Sequence, residues 1–217
     1  MSRWIWIVVT VLFAVLLWAG RGETAPAAGS GSGGGGGAAR AEACVLPPLA
    51  LGGRPMQSAV PSAMRPIRHD AFTLSPLAGF SVEARVLSRE DYSSGPEAAL
   101  SPTDLALGWQ RMADPSVYGP LGVSQSGRWY RYRWGSHGPP IPVPEIVRSS
   151  ANMHMIPADE NVERALAAVR PGQMVRLQGW LVEARRRDGW TWRSSLTRDD
   201  SGDGACEVVY VCAIASY

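Results

Sequence analysis

From Phe72 to the C-terminus, apolar and polar residues alternate in short runs that mostly fit the two-residue period of a strand. The pattern predicts strands over Phe80 to Leu87, Arg128 to Trp134, Ile146 to Ser150, Met174 to Ala184, Trp190 to Leu196 and Ala205 to Ile214. The fourth and fifth of these form a hairpin through Asp188 and Gly189, and Gly179 permits the bend that a small closed sheet requires. The last strand is apolar on both faces, with Val208, Tyr210 and Cys212 alternating against Val209, Val211 and Ala213, so it belongs in the buried centre. Two stretches carry helix signals instead. In the first, Ser101 precedes Pro102 and Asp104, and Leu105, Trp109 and Met112 share a face before Asp114 and Pro115 end it. The second runs from about Asp159 to Arg170, with Val162, Leu166 and Val169 on one face and a Pro171, Gly172 stop.

These elements predict an α+β domain: a mainly antiparallel twisted sheet or small partial barrel with two short helices. An oligonucleotide/oligosaccharide-binding (OB-like) barrel is one candidate. Ahead of it lies an apolar run from Trp4 to Ala19, broken only by Thr10 and flanked by Arg3 and Arg21. At about 1.5 Å per residue the run reaches roughly 24 Å, and it spans a ~30 Å hydrocarbon core if the two arginines snorkel. Trp4, Trp6 and Trp18 at its ends favour an uncleaved transmembrane signal anchor, and Arg3 places the N-terminus in the cytoplasm. The rival is a secretory signal cut at Ala25, Pro26 and Ala27. The expected layout is a transmembrane helix over 1–21, a Gly/Ala/Ser-rich disordered linker over 22–42, a Pro-rich irregular arm over 43–71 and a β-rich domain over 72–217.

Charge removes one class of function. The whole chain carries a formal +2, but from Phe72 onward 15 Arg face 16 Asp and Glu, so the domain has no basic field for nucleic acid. Three constellations remain. Trp129, Arg131 and Arg133, in a run that interleaves cations with rings, could meet a glycan or polyphosphate, although the same alternation is ordinary for a half-buried strand. Cys206 and His154 are the best pair for thiol chemistry, because a thiolate needs a nearby base or cation, and Asn152 or Ser195 could orient the ring. Asp199, Ser201 and Asp203 occupy alternate positions ahead of Gly204 and could offer oxygens to Ca²⁺. Copper at His154 would need Met153 and Met155 on its own side, which a strand forbids. Cys206 and Cys212 lie about 20 Å apart along one strand, too far to pair. The open pairings are Cys44 with Cys206 or Cys44 with Cys212, and either leaves one thiol.

The segment from Asp199 to Glu207 resembles the Excalibur calcium-binding motif, with Ser201 in place of the middle acid and one residue fewer before Cys206. More broadly, Ser150 to Ala158, Val175 to Glu183 and Trp192 to Glu207 resemble a group of bacterial proteins built of one N-terminal membrane segment and one domain. That resemblance implies an anchored envelope protein and transfers no catalytic residue. The expected function is therefore a protein of the bacterial inner membrane whose periplasmic β-rich domain binds an envelope protein or glycan without catalysis. The alternative is a thiol enzyme using Cys206 and His154 on an envelope acyl, peptide or glycan substrate. No cofactor is expected beyond the candidate Ca²⁺.

Overall fold

The computed structural model describes residues 44–50, 52–197 and 205–217. The expected anchor and linker, and Asp199, Ser201 and Asp203, lie outside the described residues. The rest is sheet-rich with few short helices, an α+β arrangement.

The organising element is β3, Phe72–Asp91, a 20-residue strand far longer than the Phe80 to Leu87 run that periodicity picks out. Its register slips between Pro76 and Ala78 and again between Val86 and Ser88. Pro76 has no N–H to give a ladder, so a bulge is where a strand tolerates it. One edge of β3 pairs with β8 (Met174–Arg186) from Phe72 to Arg85. The other edge pairs in turn with β2 (Ile67–His69), β1 (Met56–Ser58) and β4 (Thr103–Gly108). From β4 the sheet continues antiparallel to β7 (Ser150–Pro157), parallel to β10 (Glu207–Ser216) and antiparallel to β8, which returns to β3. Five strands thus close into a ring, β3-β4-β7-β10-β8. The short β9 (Thr191–Arg193) adds to β8 through the turn at Gly189, whose φ of 93° suits glycine. The expected hairpin and the central place of the last strand both match this sheet.

Two sequence expectations fail here, and a third, the strand over Arg128 to Trp134, holds only for Trp129–Arg131. Ser101 to Asp114 is not one helix: α1 (Pro96–Leu100) ends before it, Thr103–Gly108 is β4, and Gln110–Ala113 is a short 3₁₀ turn. All of β4 is buried, and a run that loses water on both faces is satisfied better by two flanking strands than by one-sided helix burial. Of the expected strand Ile146 to Ser150, Ile146 to Arg148 ends helix α3 (Val143–Arg148) and only Ser150 is a strand residue, the first of β7. The expected second helix forms as α4 (Glu160–Ala168), where the Asp159 carboxylate accepts the N–H groups of Asn161 and Val162. Val162 and Leu166 on this helix join the main core with Phe80, Val82, Trp180 and Val209. Between β4 and β7 the chain makes a long excursion through α2 (Pro115–Tyr118), a small hairpin of β5 (Ser124–Ser126) and β6 (Trp129–Arg131), and α3.

The Pro-rich arm over 43–71 is not irregular throughout: β1 and β2 lie within it and pair with β3, and the stretch ahead of them is held by side chains. Val45 O accepts from Trp180 Nε1 at 2.9 Å, Pro47 O from Gln178 at 2.7 Å and Pro48 O from the Ser81 hydroxyl at 2.8 Å. A disulfide joins Cys44 to Cys212, one of the two expected pairings. Cys212 falls where β10 slips register between Val211 and Ala213, and an extra residue at such a bulge is released from strict strand alternation. Opposite this bulge a Cβ on Gly179 would collide with the Tyr210 carbonyl, so only glycine fits.

Reducing the Cys44–Cys212 bridge should lower stability by up to about 5 kcal/mol, because it closes a very long loop of chain. Urea unfolding with and without reductant measures this; an unchanged midpoint would show that the arm is not stapled. A second expectation concerns pH. Glu183 on β8 is held below its ordinary value of 4.5 first by a hydrogen bond from Arg193; burial opposes the lowering, and the hydrogen bond and charge of Arg185 add to it. A depressed carboxyl stabilises the fold above its unfolded pKa and loses that contribution as pH falls through the folded value. Stability should therefore drop on acidification below about pH 4.5, and Glu183→Gln should flatten that drop in urea titrations.

Candidate functional site

Alternation along β4, β7 and β10 separates two faces. Leu105, Leu107, Met153, Met155, Val209 and Val211 belong to the main core. On the opposite face Asp104 stands beside His154, which is paired across β7 with Val208, and Ala106 stands beside Asn152. Cys206 directly precedes the first paired residue of β10, Glu207, which is registered with Met153, so Cys206 comes next to Asn152. The excursion folds back over this second face. Ala106 packs there with Met112, Leu121 and Ile146, against which Tyr130 and Tyr132 rest. Burial pushes the Tyr130 phenol up to about 12, and its hydroxyl donates to Ser150 Oγ at 3.3 Å.

Beneath this cover lies a connected set of polar groups. Asp104 has no solvent exposure, and Arg128 Nη1 donates to its Oδ1 at 2.6 Å. His154, 3% exposed, brings Nδ1 to 2.9 Å from the same oxygen, a close contact bent away from hydrogen-bond geometry. Asn152 Nδ2 donates to Asp104 Oδ2 at 3.3 Å and to the Arg128 carbonyl at 3.0 Å, while its Oδ1 accepts from Gln125 Nε2 at 2.6 Å. The Cys206 Sγ lies 4.0 Å from both Asn152 Nδ2 and the Arg128 carbonyl and takes no part in a disulfide. The Arg128 guanidinium sits over the Tyr92 ring at 3.7 Å and faces Trp192 at 5.6 Å. Trp192 in turn meets the His154 ring with centroids 4.5 Å apart. Arg128 has a φ of 71°, and its backbone N–H donates to the Tyr92 hydroxyl at 2.9 Å. Burial raises the pKa of that phenol, and the Arg128 N–H opposes the rise.

Chemically, this arrangement neutralises a buried carboxylate within the protein. A buried carboxylate without partners is very costly, and here one guanidinium, one amide and one imidazole share it. The structure brings together the predicted Cys206 and His154 on one face, with Asn152 beside the thiol and Asp104 behind the imidazole. It does not place Trp129, Arg131 and Arg133 with them: all three are exposed, and Arg131 is engaged by Ser126 across its own hairpin. The neighbouring Arg128 is the cation that turns inward. Asp104 was the residue hardest to find, because its spacing from Ser101 fits a helix capping box. The signal that could have found it is a lone carboxylate heading the apolar run Leu105, Ala106, Leu107. Among the described residues no group of three His, Cys, Asp or Glu side chains is arranged to hold a metal ion.

Comparisons with family models, with curated proteins and with solved structures find no match to this chain.

Asp104→Asn should destabilise the domain by about 3 kcal/mol, since it leaves the Arg128 charge buried without its counter-charge. Replacing both members with apolar residues, Asp104→Leu with Arg128→Met, should cost less than the single change. Urea denaturation of the three chains checks the order. A single variant as stable as the parent would mean that solvent, not the pair, carries these charges.

Proposed function

We propose that the chain is an N-terminally anchored protein of the bacterial envelope whose β-rich domain binds a ligand or partner without catalysis. The observation that carries the reading is the strand order. Numbered along the chain, the five ring strands run 1-2-3-5-4 and close on 1, with α4 between the third and fourth. This is the order of an OB-type barrel, an architecture used chiefly to bind extended ligands on the face of strands 2 and 3. In this chain that face is β4 and β7, and the excursion already covers it, so the ligand has to be met on the excursion or at its margins. The charges below the cover answer one another, which supports a structural role for them. The run from Trp4 to Ala19 supports the anchor, and the Cys44–Cys212 bridge suits an oxidising compartment. The candidate calcium loop remains a stabilising accessory in this reading, and the partners are the bilayer and an envelope protein or glycan.

A second reading has its own support. Asp104 Oδ1 lies 2.9 Å from His154 Nδ1, close to where an orienting carboxylate stands although not in hydrogen-bond geometry, and Cys206 is a thiol on the same face. A thiol enzyme acting on an envelope acyl, peptide or glycan substrate would use this geometry.

One experiment separates the two. Membrane-fraction protein is alkylated before reduction, and intact and peptide masses are recorded over time. The binding reading predicts an uncleaved N-terminus, a bridged Cys44 and Cys212, and a Cys206 that reacts no faster than an ordinary thiol, at a rate unaffected by His154→Gln. Rapid alkylation of Cys206 that slows in His154→Gln would overturn it in favour of the thiol enzyme.

A further inference from the structure

The excursion leaves β4 and rejoins β7 at one place, and there the structure holds a cleft of about 630 Å³ whose walls include Arg54, Gln110, Arg111, Glu145, Arg148 and Ser149. Its charge is lopsided: three guanidinium groups face one carboxylate. Glu145 answers Arg111 at 3.2 Å, and among the described residues Arg54 and Arg148 have no ion pair. Over residues 44–217, 18 Arg nearly balance 17 Asp and Glu, so this local excess of positive charge departs from the chain around it. A concave wall carrying one sign of charge focuses its field into the space it encloses.

The base of the cleft is fixed rather than loose. Trp109 N–H donates to the Ser149 carbonyl at 2.9 Å, locking the two roots of the excursion together. Gln110 is held at a φ of 51°, a left-handed conformation that a non-glycine residue adopts at some cost, and the Ser149 hydroxyl donates to its side-chain oxygen at 3.4 Å. Arg54 reaches the same space from the arm, so the cleft joins two separate stretches of chain.

We infer that this cleft binds the phosphate group of a small molecule or of a lipid headgroup. Arg54 and Arg148 supply the charged fork donors, and Gln110 and Ser149 supply neutral polar groups beside them. Guanidinium suits this task because its planar set of N–H groups matches two oxygens of one phosphate. The volume is that of a small-ligand pocket. The inference deepens the binding reading by naming a ligand class and a place, and it rests on that reading for its biological setting.

Titration calorimetry of the full-length chain with pyrophosphate at low salt tests it. The expected result is saturable single-site binding, weakened about tenfold or more by Arg148→Gln and by Arg54→Gln, the scale of one charge-assisted hydrogen bond. Arg164→Gln, which changes an exposed side chain on α4, should leave it unchanged. Unaltered urea midpoints establish that the variants fold. Vesicles of phosphatidylglycerol that displace pyrophosphate where phosphatidylcholine does not assign the site to a headgroup; failure to displace assigns it to a soluble phosphate. Absence of saturable binding, or equal binding by the parent and both variants, overturns the inference. The Cys206 alkylation rate reports separately on the binding reading, so the two failures are distinguishable.

Discussion

A single 20-residue strand gives one edge to β8 and its other edge in turn to β2, β1 and β4, and this sharing closes the sheet. The constraint is geometric. A strand can serve as both first and last member of a ring only if it bends, and the bends of β3 fall at two register slips, one of them at Pro76. Once the ring is closed, β4, β7 and β10 must lie side by side with a main-core face and an opposite face. Every residue on those strands is thereby assigned to a side by its position in the sequence.

The second face acquires its character from what folds over it. The excursion between β4 and β7 brings aromatic residues, Tyr130 and Tyr132, to seal a small second core, and it brings Arg128 inward against Asp104. The buried carboxylate and the cover therefore depend on each other. Asp104 is tolerable only while Arg128 reaches it, and Arg128 is oriented by Tyr92 and Trp192 as well as by the carboxylate. Cross-links at the periphery complete the domain. The arm, fixed by Cys44 to the bulge at Cys212, lies along β8 and β3 through hydrogen bonds from Trp180, Gln178 and Ser81.

The sequence carried the parts of this architecture that depend on local chemistry. A helix beginning near Asp159, a turn at Gly189 and the buried character of Val208 to Val211 follow from short-range rules, and each matches the structure. Gly179 signals a bend in the sequence, but its necessity comes from the Tyr210 carbonyl across the sheet. The misreadings share one cause: local signals that tertiary pairing overrode. Ser101, Pro102 and Asp104 satisfy a helix-start pattern, but β3 and β7 on either side claim the backbone from Thr103 to Gly108 as a strand. Arg128 to Trp134 alternates like one strand, yet only Trp129 to Arg131 pairs, opposite the three residues of β5, and the positive φ of Arg128 puts that residue in the turn ahead of the strand. The approach of Cys206 to Asn152 and of His154 to Asp104 depended on long-range register, which composition does not encode. The Arg54, Arg111 and Arg148 cleft is likewise assembled from residues scattered over nearly a hundred positions, with no spacing motif to announce it.

The most direct test of the account is native-state amide hydrogen exchange resolved along β8, the strand that β3 and β10 flank together. If ring closure organises the domain, the amides from Leu177 to Leu181 exchange only with global unfolding, together with those of β7 and β10. If the β3 to β8 seam opens well before the β7 to β10 seam, the sheet is an open one with a loosely docked edge. The assignment of the two faces, and of everything buried between sheet and excursion, would then lose its foundation.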